Sequence, residues 1–422
     1  MTDSLSIENV ELSAPLPAFD PSLVEIVTDP YPAYARYREQ DPVHWGVSAL
    51  AGYPGAWYVF RHADTSAVLK DERFGKARRA AAASDEATTV KPSIPDAAKP
   101  YFAMARTWIA HRDPPDHTRL RDLLRPHFAA GAVQRLRPVV LGIADQLIDR
   151  FEGGRSDVVA DYAAVLPFHV VAGLLGVPED DWPRLVDWSI PMRNVGVLTT
   201  EQTWRLASEA VTDFAGYLGE LVQRRRAEPA DDLLSSLITA REGGEFVDDD
   251  ELVANALFLV FASAGLYTTT ALVSTGANLL LTHPDQRAAL AGDPALIGSA
   301  VHEFLRLEPP LQMTNRTAAA HVRLGDREIH PGDSVITILA SANRDPQVYA
   351  DPDRLDIARR RQPHLTFSAG IHTCFGGPMA ALEGEVAIGR LLERLPGLAP
   401  AGLAEWNLTG SLRLLRTLPV TY

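Results

Sequence analysis

From Asp116 to about Arg306, apolar residues recur every three to four positions with polar ones between them. That is the spacing of amphipathic helices, and it predicts a long helical stretch. Breaks are expected near Gly153-Gly154, Pro178-Glu179, Pro229 and Gly243-Gly244, and Thr282-His283-Pro284 ends one helix and starts the next. Within the stretch, Leu252 to Leu281 holds no charged residue. About 20 apolar residues suffice to cross a bilayer. The same pattern also describes a central helix buried on all sides in a large globular protein. Asn255, Asn278 and several hydroxyl side chains lie along it, and Asp248-Asp249-Asp250-Glu251 precede it, as suits a helix N-terminus. The buried helix is therefore the expectation.

On either side of this stretch the pattern shortens. Pro30–Gln40 reads as a helix opened by prolines, Val43–Trp45 and Trp57–Phe60 as strands, and Ala63–Lys70 as a short helix. Residues 75–107 read as a long loop with helical fragments, of the kind that usually carries function. Short apolar runs over Val322–Ile338, punctuated by Gly325, Pro331 and Gly332, predict strands and turns. A polar meander over 343–366, a helix over Phe375–Arg394 and strand-like runs over Leu408–Tyr422 complete the chain. No repeat or low-complexity linker divides it. The expectation is a mainly α fold with a minor β portion, made of a loose arm over residues 1–28 and one domain over 29–422.

Composition narrows the class. The 422 residues are 46% hydrophobic and 22% charged, an ordinary globular balance. A net charge of -14 argues against a nucleic-acid partner. The N-terminal sequence has neither the basic nor the apolar region of a secretory signal, and the one cysteine, Cys374, permits no intrachain disulfide; a reducing cytoplasmic setting is expected. The basic residues are nearly all Arg, with Lys only at 70, 76, 91 and 99.

Candidate chemistry centres on Cys374, flanked by Gly370, Gly376 and Gly377 just before a predicted helix. Glycines let a backbone take unusual angles and approach another group closely. Amides at a helix start favour a thiolate, so a depressed thiol pKa is expected. A lone thiolate without clustered partners suits an axial haem ligand better than zinc, which needs about four ligands. Cys–His nucleophilic catalysis is the competing reading.

Phe367-Ser368-Ala369-Gly370-Ile371-His372-Thr373-Cys374-Phe375-Gly376 resembles the haem-binding loop of cytochromes P450, F-x-x-G-x-x-x-C-x-G. Other parts resemble the soluble bacterial members in order: Asp113-Pro114-Pro115-Asp116-His117-Thr118 with Arg121, then Glu303-Phe304-Leu305-Arg306, then Ala342-Asn343-Arg344-Asp345-Pro346 with Asp351-Pro352. The resemblance runs from about Pro30 to the C-terminus. It implies the cytochrome P450 fold, haem b (iron protoporphyrin IX) as cofactor, and Cys374 as the metal ligand, with Phe367 and Gly376 in the cofactor-binding loop. It also implies that His117, Arg121, Arg316 and His372 hold the haem propionates. Glu303 and Arg306, i,i+3 neighbours on a helix, would hold the meander and cysteine loop in place, with Arg354 or Arg359 as a third member.

Ala264-Gly265-Leu266-Tyr267-Thr268-Thr269 resembles the family's [AG]-G-x-[DE]-T-[TS]. The resemblance implies room over the iron at Ala264 and Gly265, and a proton-delivering Thr268 that can bond back to the Ala264 carbonyl and open the helix. Tyr267 departs from the pattern, because the family usually has an acid there. A tyrosine stays neutral near pH 7. Either Thr268 and water deliver protons alone, or Tyr267 contacts substrate, or the reaction is a coupling or rearrangement with different proton needs.

Phe261, Leu311, Met313 and Leu412 are nominated as substrate contacts for a mainly apolar small molecule. The resemblance implies monooxygenation, with a tailoring role in specialised metabolism and electrons from a separate ferredoxin and reductase. Arg359-Arg360-Arg361, with Arg119 or Arg125, is a candidate docking patch. A monomer is expected. A non-catalytic haem- or ligand-binding protein is the alternative of another class.

Overall fold

A computed structural model describes residues 15–48, 55–76, 94–193, 195, 199–244, 248–263, 267–360, 362–408 and 411–422. Ala264, Gly265 and residues 1–14 lie outside the described residues, as does most of the early part of the 75–107 loop.

The β portion is built from distant parts of the chain. Strands Val43–Gly46 and Ala56–Val59 pair antiparallel, and Ala56–Val59 runs parallel to Ser334–Thr337. Thr314–Ala318 lies next, and Phe74–Gly75 forms the far edge. Burial under this sheet explains why residues 15–28 are not the loose arm expected over 1–28. Phe19 is fully buried among the rings of Tyr34, Tyr37, Tyr58 and Phe60, and Val24–Thr28 forms a short helix that buries Ile26.

The helical body follows the sequence pattern closely. Helices Asp116–Phe128, Arg137–Asp149, Val165–Leu174, Trp182–Arg193, Glu201–Ala227 and Leu233–Glu242 lie between the expected breaks. Gly153 and Gly154 both take positive φ, turning the chain into Arg155–Asp157, an unforeseen strand that pairs with Pro419–Thr421. The carboxylate of Asp248 accepts from the Glu251 amide and caps the next helix, Asp249–Phe258, as the acidic run implied.

The central helix is correctly placed but not continuous. Asp249–Phe258 passes into a π-helical turn over Leu259–Ser263, and helix resumes at Thr268–Thr282. Nearly every described side chain along it is buried. Among the described residues no helix is long and apolar enough to cross a membrane.

The Glu303–Arg306 pair on helix Ile297–Leu307 is buried, unlike an ordinary surface pair. Arg306 makes two bonds of 2.8 Å to the two Glu303 oxygens and donates to the carbonyls of Asn343 and Pro352. Of the two candidates for third member, Arg359 contributes the side chain, its Nε 3.0 Å from Glu303 Oε1, while Arg354 offers only its carbonyl. Removing one partner of a buried pair leaves a charge without compensation. Arg306→Ala should cost about 3–5 kcal/mol, read as a lowered midpoint in urea unfolding. Arg360→Ala, outside the network, should leave that midpoint unchanged.

Candidate functional site

The loop that presents Cys374 is fastened at both ends. The Asn343 side chain accepts from the Leu365 amide at 2.7 Å and donates to Thr366 Oγ1 at 2.8 Å, and Thr366 donates to the Leu305 carbonyl. The Cys374 amide donates to the Phe367 carbonyl at 2.8 Å. Gly370 turns the chain at φ +73, and a Cβ there would drive into the Leu69 carbonyl oxygen. Helix Gly377–Arg394 starts three residues after the cysteine.

Cys374 keeps accessible surface although protein atoms surround it, as for a side chain lining an interior cleft. Burial pushes its thiol up, against the opposing pull of the Gly376 amide, the Arg121 charge and the Gly377 amide. The depressed thiol expected from the helix start is therefore not what the fold produces, because desolvation outweighs the amides.

Most of the nominated basic residues gather on one side of this loop. His117 and Arg121 lie on helix Asp116–Phe128, and the His117 ring packs 4.3 Å from that of His372. Burial, then the neighbouring His372 and Arg121, lower the His117 imidazole to about 4. Arg316 is buried, and its guanidinium is brought down to about 10 by burial. His372 Nε2 has no hydrogen-bond partner and lies 3.7 Å from Asp113 Oδ1. Lys76, which no sequence pattern singled out, joins them, with burial and the Arg316 charge holding its ammonium well below the usual range. Among the described residues, Asp113 is the one carboxylate acting on Lys76, Arg316 and His372. Haem carries two carboxylates and an iron that takes soft sulfur ligands. One thiol beside a surplus of basic groups fits that group.

On the opposite side, Phe261 packs its ring between Trp108 (5.5 Å) and Tyr267 (5.4 Å). Tyr267 is buried, and its hydroxyl donates to the Ser189 carbonyl on helix Trp182–Arg193 at 3.1 Å. Thr268 begins the resumed helix beside it. Leu311 bridges to Leu412, and Leu412 packs on the same apolar cluster as Phe261. Met313 is not brought to this side. It is buried with Tyr34, Phe60 and Ile336, just ahead of strand Thr314–Ala318. Sequence reasoning also missed Glu383, a fully buried carboxyl on the helix after Cys374. Burial pushes it well up, and neither oxygen has a hydrogen-bond partner. Within the candidate docking patch Arg359 is bonded to Glu303 and Arg119 to Glu251 at 2.8 Å, while Arg361 lies outside the described residues.

Comparison with known proteins adds to this geometry. A family model described as Cytochrome P450 matches residues 295–400. The biotin biosynthesis cytochrome P450 of Bacillus subtilis is 32% identical, over 94% of this chain and 97% of that one. The vitamin D(3) 25-hydroxylase of Pseudonocardia autotrophica is 39% identical, over 93% and 94%. The solved structure of the Bacillus subtilis bacillaene polyketide synthase cytochrome P450 PksS superposes with a TM-score of 0.84 at 33% identity, covering 96% of this chain and 99% of that one.

The lowered His117 pKa has a consequence for stability. The unfolded chain takes up the proton near the ordinary imidazole value of 6.5, the folded chain only near 4. Stability should therefore fall as pH drops from about 6.5 towards 4, by about 2 kcal/mol for this group. His117→Gln should flatten that fall in urea midpoints of the haem-free protein measured at successive pH values.

Proposed function

The chain belongs to the cytochrome P450 family, in the monooxygenase class, and on that premise we propose that it is a haem-thiolate enzyme inserting one oxygen atom into a mainly apolar small molecule. The observation that carries this reading is Cys374, a lone thiol clamped in a loop that faces more basic groups than carboxylates. A thiolate-held haem, when bound, activates dioxygen so that one atom enters substrate and the other leaves as water.

In this reading Cys374 Sγ binds the iron, Phe367 fixes the loop through its carbonyl, and Gly376 leaves space beside the sulfur. Arg121, Arg316, His117 and His372 hold the propionates. With only one cysteine, already used as ligand, no thioether attachment is available, which supports haem b. Thr268 holds a proton at its hydroxyl and passes it on with ordered water, and the small residues Ala264 and Gly265 in the same sequence motif suit room over the iron. Because the Tyr267 hydroxyl is engaged by Ser189, Tyr267 acts as a strut between two helices and not as an acid. Phe261, Leu311 and Leu412 exclude water and pack substrate. Relatives named for vitamin D(3) hydroxylation and polyketide biosynthesis suggest a large apolar skeleton from specialised metabolism. Electrons come from a separate ferredoxin and its reductase, and the enzyme works in the cytoplasm as a monomer with one catalytic domain. Absence of an acid at 267 favours, as second reading, an oxidation that couples or rearranges instead of hydroxylating.

The reduced protein under carbon monoxide should show the long-wavelength Soret band that a thiolate ligand gives. Cys374→Ser should lose it; a wild-type protein without the band would overturn the assignment. Thr268→Ala should release roughly tenfold more hydrogen peroxide per product formed, whereas Tyr267→Phe should stay coupled. Product analysis with the turned-over substrate separates hydroxylation from coupling.

A further inference from the structure

Two imidazoles that the site does not use meet beside the cysteine loop. His302 lies on helix Ile297–Leu307, next to Glu303, and His364 lies where the meander enters the loop. His302 Nδ1 and His364 Nε2 are 3.1 Å apart, and both residues are half-buried. The His364 ring also packs 5.5 Å, centre to centre, from that of Phe367, whose carbonyl takes the Cys374 amide. One contact between side chains thus ties the helix to the segment that fixes the cysteine.

The contact depends on a proton count. A neutral imidazole offers one N–H and one lone pair, and an imidazolium two N–H groups and no lone pair. Two neutral rings, or one neutral and one charged, can share the bond. Two charged rings cannot, because neither nitrogen accepts and the charges repel. The surroundings add to that repulsion. The cleft that holds the pair is also lined by Glu303, Arg306, Tyr349, Arg359 and Arg360. Glu303 is the one carboxylate among these, and Arg306, Arg359 and the Asp356 amide already engage it. The other N–H groups of Arg306 and Arg359 reach backbone carbonyls, and the Tyr349 hydroxyl donates to the Pro363 carbonyl. A second imidazolium would therefore face three guanidinium groups with no uncommitted carboxylate of the cleft lining to offset it.

We propose that His302 and His364 form a proton-sensitive latch on the cysteine loop. The latch is closed while at least one of the two rings is neutral and open when both are charged. It rests on the haem-thiolate reading for what the loop does, and on the imidazole contact alone for the latch itself. In the unfolded chain both rings charge near the ordinary imidazole value of about 6.5. In the folded chain the second proton requires the bond to break. The latch therefore holds above that value and yields as pH falls below it. His302 is in this sense a positioning residue, acting on Cys374 through His364 and Phe367.

The test follows two signals against pH in wild type, His302→Gln and His302→Phe. One is the thiolate-type carbonyl band of the reduced holoprotein, and the other is hydrogen-exchange protection of the amides of residues 365–374. Glutamine can keep a bond to His364 without titrating, and phenylalanine cannot. Wild type should lose band and protection together below about pH 6.5. His302→Gln should match wild type at pH 8 and move both losses about one pH unit lower. His302→Phe should already show roughly tenfold weaker protection at pH 8, the weight of one hydrogen bond. Equal pH midpoints in wild type and His302→Gln would overturn the latch. So would wild-type protection in His302→Phe at pH 8. If His302→Phe does not accumulate, His302→Ala replaces it under the same criteria. A wild-type protein lacking the carbonyl band at pH 8 would overturn the cofactor reading instead, and the exchange measurement would still decide the latch.

Discussion

The Glu303 carboxylate ties helix Ile297–Leu307 to the meander that follows the sheet. Two arginines, Arg306 from its own helix and Arg359 from the meander, converge on it, and the Asp356 amide adds a further bond. Arg306 then reaches the carbonyls of Asn343 and Pro352. Asn343 in turn fixes Leu365 and Thr366, the residues that lead into the cysteine loop. A meander rich in Asp and Pro has little secondary structure to hold it, so its course is set by these bonds. The position of Cys374 therefore depends on a buried charge two steps away in the network.

A second theme is desolvation acting on every ionisable group near the site. It pushes Cys374 and Glu383 towards their neutral protonated forms and His117, His372 and Lys76 towards their neutral unprotonated forms. One physical cause thus shifts acids and bases in opposite directions on the pKa scale and in the same direction on the charge scale. Arg316, brought down to about 10, stays cationic near neutral pH.

Much of this was legible in the residues because local chemistry dictated it. Glycines and one cysteine at fixed spacing, an i,i+3 carboxylate–guanidinium pair and an uncharged run flanked by acids each carry their structure with them. What escaped depended on long-range packing. Lys76 reaches this basic cluster only because strand Phe74–Gly75 pairs with a segment some 240 residues away. Met313 and Leu311 look alike in sequence, and only the packing of the folded chain separates them. The thiol's direction of shift was misjudged because helix-start amides are visible in sequence and burial is not. The π-helical turn left no mark in a run that is uncharged throughout.

The four lysines also bear on how the protein can be handled. They occupy positions 70, 76, 91 and 99, a single short stretch of a 422-residue chain. Lys70 lies against the Gly370 turn, and Lys76 is hidden at the sheet edge. Apart from the N-terminal amine, an acylating reagent, a dye or an activated bead can attach only between positions 70 and 99 of the sequence. Amine chemistry on this protein therefore reports on that one stretch, and at Lys70 it acts beside the turn that leads to Cys374.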